Sequence, residues 1–130
     1  MSETHMHIGA VAERTGLSLR TLRHYDEVGL VSPSMRSEGG FRLYSESDLS
    51  RLLLVRRMKP LGFALEEMAD LLDVMDRMAA DPEPSAEVRA RLAALVASTH
   101  ERRSDLARKL EMADEFIGLL GERSPSSRRD

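Results

Sequence analysis

Apolar positions along the chain fall into several short helical patterns and one long one. In "IGAVAERTG", Ile8, Val11 and Ala12 stand at i, i+3 and i+4, the spacing of one helix face, which predicts a short helix from about Ile8. Thr15-Gly16-Leu17 is a tight turn, with Gly where a helix must stop. Ser18 is a good N-cap. The stretch "LSLRTLRHYDEVGLV" then predicts a second short helix to about Val28, ending at Gly29. Leu19, Leu22 and Tyr25 are expected to face inward. Arg20, Arg23, His24 and Glu27 then share an outward stripe.

The period changes at "LVSPSMRSEGGFRLYS". Pro33 breaks helix, Glu38-Gly39-Gly40 signals a turn, and Phe41 and Tyr44 favour strand. The expectation is a two-stranded hairpin, a wing, of Ser34–Arg36 against Phe41–Leu43. An isolated hairpin is marginal in water, so it should lean on the helices. Ser45-x-x-Asp48 resembles a capping box and predicts a third helix from Glu46 to Lys59, ended by Pro60 and Gly62. A fourth runs from Leu65 to about Ala80, with an apolar arc wide enough to suggest burial from two sides.

After the linker "ADPEPS" (80–85), helical pattern continues without Pro to Leu120. Its apolar seam reads Val88, Leu92, Leu95, Thr99, Arg103, Leu106, Leu110, Ala113, Ile117 and Leu120. Eight of these ten positions are apolar, and the steps of three and four carry one stutter, at Thr99–Arg103. That is a coiled-coil rhythm, and these ten residues are the expected dimerisation set. The organisation expected is residues 1–79 as a winged helix–turn–helix domain, 80–85 as linker, 86–121 as dimerisation helix and 122–130 as disordered tail. The fold class is mainly α.

Charge sharpens the picture. Residues 1–60 hold nine Lys/Arg against seven Asp/Glu, and residues 61–130 hold ten against fifteen. Seventeen of the nineteen cations are Arg, the better residue for bidentate contact with phosphate or guanine, although genome composition gives the same bias. A helix presented after a tight turn, with its inner face packed, can lie in the DNA major groove. Arg20 would reach base edges, while Arg23, His24 and the Tyr25 hydroxyl would reach bases or phosphates. An ordinary solvated face with an Arg23–Glu27 pair at i, i+4 is the plainer reading of the stripe alone. Arg36 and Arg42, flanking a Gly-Gly turn with Phe41 and Tyr44 nearby, favour the DNA reading.

Other chemistry finds little footing. The chain has no cysteine, which excludes disulfides and thiolate metal sites. His5, His7, His24 and His100 lack the i, i+4 spacing with a third ligand that a metal site needs. The expectation is therefore no metal and no cofactor. Met68, Met75 and Met78 read as core or dimer packing, or as a small adaptable pocket against a partner's long helix. Glu66, Glu67, Asp70, Asp73 and Asp76 read as a solvated face. Without a Gly-rich phosphate loop or a nucleophile with its base, an enzyme is not expected. No apolar run approaches the roughly 18 residues of a membrane span, and "MSETHMHIG" lacks the regions of a signal peptide. The location expected is the cytoplasm.

Taken together, "IGAVAERTG", "TLRHYDEVGL", "GGFRLY" and "LGFALEEMADLL" resemble the MerR family of bacterial transcriptional regulators, over about residues 7–78. The resemblance implies a winged helix–turn–helix, a long helix forming an antiparallel coiled-coil homodimer, and binding to palindromic promoter DNA. It also implies distortion of a promoter with an over-long spacer so that RNA polymerase can engage both elements. It maps Arg20, Thr21, Arg23, His24 and Tyr25 to the recognition helix, capped by Ser18, and Arg36, Gly40, Phe41, Arg42 and Tyr44 to the wing. Metal- and redox-sensing members carry cysteines after the dimer helix, which this chain lacks. Drug-sensing members often carry a large C-terminal domain, and here nine residues follow Gly121. A small-molecule inducer is therefore open, and an architectural DNA-binding protein without one, or a coiled-coil adaptor, are the competing readings.

Overall fold

The computed structural model describes residues 5–123. Its elements are β1 (His5–His7), α1 (Ile8–Thr15), α2 (Leu19–Glu27), β2 (Met35–Arg36), β3 (Arg42–Ser45), α3 (Glu46–Met58), a single 3-10 turn (Lys59–Leu61), α4 (Leu65–Ala80) and α5 (Ala86–Glu122). They form two units that divide between Val88 and Arg89.

In the front unit, local chemistry sets each boundary. Gly16, at φ +75°, takes the left-handed conformation that ends α1, and its N–H donates to the Ala12 carbonyl at 2.9 Å. The Thr15 hydroxyl donates to the Val11 carbonyl at 2.8 Å and accepts from the Leu17 N–H at 3.2 Å. Arg56 of α3 donates to the Thr15 carbonyl at 2.7 Å, so the turn between α1 and α2 is held from three sides. Ser18 Oγ caps α2 by accepting from the Thr21 N–H at 3.0 Å. Ser45 and Asp48 form the full capping box at the start of α3. Asp48 Oδ2 also accepts from the Ser34 N–H at 2.9 Å and the Ser34 hydroxyl at 2.6 Å, which ties the loop before the wing to α3. At α4 the N-cap Ala64 has no hydroxyl, and half the box survives: its N–H donates to Glu67 Oε1 at 2.8 Å.

The sheet has three strands in the order β1-β3-β2, all antiparallel. The expected hairpin is present, with Met35 opposite Leu43 and Arg36 opposite Arg42. The strand His5–His7 was not expected; it pairs with Ser45, Tyr44 and Leu43 and supplies the support that a lone hairpin needs. His5 and His7 therefore lie on a sheet edge, not on a loose end. The core gathers Val11, Leu22, Tyr44, Leu52, Val55 and Leu72 from α1, α2, α3, α4 and the sheet. Only Met68 and Leu72, with Val74, are buried on α4; Leu65 and Met75 stay exposed. Val74 lies on the opposite edge of the arc from Leu72, so the arc is covered at both edges within the single chain.

The second unit is helical from Arg89 to Glu122, one residue beyond the expected end. With its first turn, α5 has 37 residues and spans on the order of 55 Å. None of its residues beyond Val88 is buried. The exposed apolar side chains include the seam residues Leu106, Leu110, Ile117 and Leu120, and also Met112 and Phe116 off the seam. The tail expected to be disordered lies outside the described residues, apart from Glu122 and Arg123. No helix of the described residues is long and apolar enough to cross a membrane.

Candidate nucleic-acid interface

The outward stripe of α2 forms as its spacing requires. Arg20, Arg23, His24 and Glu27 are all exposed, opposite the buried Leu22 and Tyr25. Arg23 and Glu27 do not pair, and among the described residues neither Arg20 nor Arg23 has a hydrogen-bond or ion-pair partner. Two guanidinium groups thus stand free on one short helix, eager for an anion from outside. Thr21 is half-buried beside them, and its hydroxyl accepts from Ser18 Oγ at 3.0 Å.

Leu19 departs from expectation, while Tyr25 faces inward as its spacing predicts. Leu19 does not face inward and is 40% exposed. Tyr25 is 3% exposed and Tyr44 fully buried, so both are core residues, and burial raises the pKa of each phenol. Helix spacing puts Tyr25 three residues after Leu22, on the packed face, and the strand alternation turns Tyr44 toward the core. Among the described residues the Tyr44 hydroxyl has no hydrogen-bond partner.

The wing is joined to α2 by an acid. Arg42 Nε donates to Asp26 Oδ2 at 2.7 Å, and Arg36 stands 3.9 Å from the same oxygen. Burial pushes the Asp26 carboxyl up, but the hydrogen bonds from Arg42 and Ser32 and the charges of Arg42 and Arg36 outweigh it and hold the group below the ordinary aspartate range. Arg42 is therefore engaged within the chain, and its immediate work is to hold the wing against α2. Arg36 is more exposed and also donates to the Gly40 carbonyl at 3.3 Å. Gly40 sits at φ +82° in the turn, a conformation that favours Gly. Next to it Phe41 is 66% exposed, with the His7 ring edge-on at 6.4 Å.

A cation missed in the sequence completes this face. Lys59, at the end of α3, joins Arg20, Thr21, His24 and Tyr25 of α2 around a groove of about 350 Å³ whose other walls are Phe63, Leu65 and Met68. A Lys at a helix C-terminus reads as ordinary dipole compensation, so nothing local marked it.

Family models extend these observations. One described as "MerR HTH family regulatory protein" matches residues 6–74, and one described as "MerR, DNA binding" matches residues 49–112. The HTH-type transcriptional regulator CueR of Salmonella typhimurium is 37% identical over 115 residues, covering 88% of this chain and 78% of that protein. The solved N-terminal portion of MtaN, the multidrug transporter activator of Bacillus subtilis, is 31% identical, with 91% of this chain and 96% of that one covered and a TM-score of 0.57. HiNmlR, a MerR family regulator lacking the sensor domain and solved bound to promoter DNA, superposes with a TM-score of 0.72 over 96% of this chain and 95% of its own; at 22% identity it shows a shared fold.

Proposed function

This chain belongs to the MerR family of HTH transcriptional regulators, a DNA-binding family, and from that premise we propose that it acts as a cytoplasmic homodimer on palindromic promoter DNA. Two copies of α5 pair along the seam from Val88 to Ile117 and Leu120, in the antiparallel arrangement the family resemblance implies. Covering the exposed apolar side chains of α5 supports that pairing. A two-fold dimer meets a two-fold site, with its half-sites separated by whole helical turns. A helix on the order of 55 Å long suits a spacer that sets two reading heads apart on one face of a duplex.

Within each head, α2 enters the major groove, led by Arg20, Arg23 and His24. Ser18 and Thr21 close the N-terminal end of α2, where its N–H groups and partial positive charge favour a phosphate. Arg36, the Gly40 backbone and Phe41 carry the wing against the flanking backbone. Lys59 adds a further phosphate contact. Arg42, Tyr25 and Tyr44 serve the same face from behind, by fixing the wing and the helix. Binding bends or untwists the duplex so that RNA polymerase engages both promoter elements, and a small-molecule inducer tunes the response. The observation that carries this reading is the pair of unpartnered arginines on a capped, core-packed helix that follows a tight turn.

The test is footprinting and titration on the DNA flanking the chain's own gene. Arg23→Ala is expected to weaken specific binding by about 1–3 kcal/mol, roughly 5- to 150-fold, with the dimer intact. Wild-type affinity should fall steeply with salt as phosphate contacts release counterions. Unchanged affinity in the variant, or a flat salt response, would remove α2 from the interface.

A further inference from the structure

We propose that the groove between α2 and the start of α4 is a binding site for a small organic anion with an aromatic body, and that its occupant competes with DNA. The inference rests on the reading that α2 enters the DNA. The groove is floored by Tyr25, Phe63 and Met68, all buried, with the half-open Leu65 as one wall. Its rim holds Arg20 and His24 from α2 and Lys59 from the end of α3, and none of its lining residues is an acid. The volume of about 350 Å³ falls in the lower part of the 300–1,000 Å³ typical of small-molecule sites, which combine apolar walls with a few polar groups of fixed direction.

Charge complementarity selects the occupant. A phosphodiester rewards the rim but makes little use of an apolar floor of three side chains and an apolar wall. A neutral hydrophobe uses the floor and leaves the rim's cations without an anion. A fused aromatic ring bearing a carboxylate or sulfonate uses both, ring down and acid toward Arg20 and Lys59, with charge-assisted hydrogen bonds at the rim. Arg20 cannot hold that acid and a base edge together. Occupancy therefore lowers DNA affinity, and DNA lowers ligand affinity by the same factor.

The experiment uses the full ¹⁵N-labelled chain and two probes, 2-naphthoate and its uncharged analogue 2-naphthalenemethanol. The expected result is saturable amide shifts at Thr21, His24, Phe63 and Met68, with naphthoate binding about tenfold or more tighter than the alcohol. Leu65→Trp, which fills the mouth of the groove from an exposed position, should weaken naphthoate about tenfold with helix content unchanged. Saturating naphthoate should reduce affinity for the promoter duplex several-fold. Equal affinity for the two probes, shifts confined to α5, or no shifts at millimolar naphthoate would overturn the site. DNA binding without naphthoate binding overturns the groove site alone. Naphthoate bound in the groove with DNA affinity unchanged overturns the competition and, with it, the placement of α2 in the DNA.

Discussion

The front unit and the long helix handle apolar surface in opposite ways. In the front unit Leu22, Tyr44, Leu52 and Val55 are closed off from water within one chain. In α5, Leu110 and Ile117 are 63% and 65% exposed, and no residue after Val88 is buried. A helix of this length gains little from local propensity and much from covering an apolar face. The first unit thus carries its own stability, whereas the second is written for a surface that a single chain does not supply. That division suits the proposed dimer, in which the front unit would read DNA and a partner copy would set its spacing.

The sharpest break of this contrast is a charge on the seam. Ile117→Asp places a carboxylate in the proposed helix pair and is expected to cost on the order of 4 kcal/mol, about a thousandfold in dimer dissociation. Sedimentation should show monomers at micromolar concentration, with the front unit's melting unchanged. A variant that remains dimeric would mean that the seam lies elsewhere, for example along Met112 and Phe116. The converse change is Leu52→Ala. Leu52 is fully buried at the centre of the front unit, so its truncation should cost about 2–5 kcal/mol. Thermal melting should register this loss at every protein concentration, because the core it damages lies within one chain. A concentration-dependent loss would show that the front unit borrows stability from its partner.

What was legible in the sequence follows the same line between local and distant. Gly16, Ser18, the Ser45/Asp48 box and Gly62 act within four residues of themselves, and the helical segments start or stop at the boundaries these residues set. Strand β1 was invisible because His-Met-His carries no strand signal of its own and forms only by pairing with a strand nearly forty residues away. The stripe on α2 was legible from period alone, yet Leu19 turns outward, because its burial depends on what packs beside it. Arg42 read as a phosphate clamp because its partner, Asp26, lies sixteen residues away. Lys59 and the groove beside it needed two helices to be brought together.

Wing attachment gives the smallest and most specific test of the front unit's self-sufficiency. Asp26 receives Arg42 at 2.7 Å and is largely buried, so Asp26→Asn keeps the shape and removes the charge. At neutral pH the expected loss is about 1 kcal/mol, the lower range for a hydrogen bond to a charged group after solvent screening. The folded carboxyl titrates below the unfolded one. Its contribution is therefore fully present above the ordinary aspartate value of about 3.9 and is lost as pH falls through the lower folded value. Urea midpoints for wild type and variant should differ at pH 7 and converge below about pH 4. In footprints the variant should lose protection at the flanks, where the proposed complex seats the wing, before it loses the half-site centres assigned to α2. A gap that stays constant down to pH 3 would assign Asp26 to packing alone, and the wing would then have to be held by β1 and β3 without help from α2.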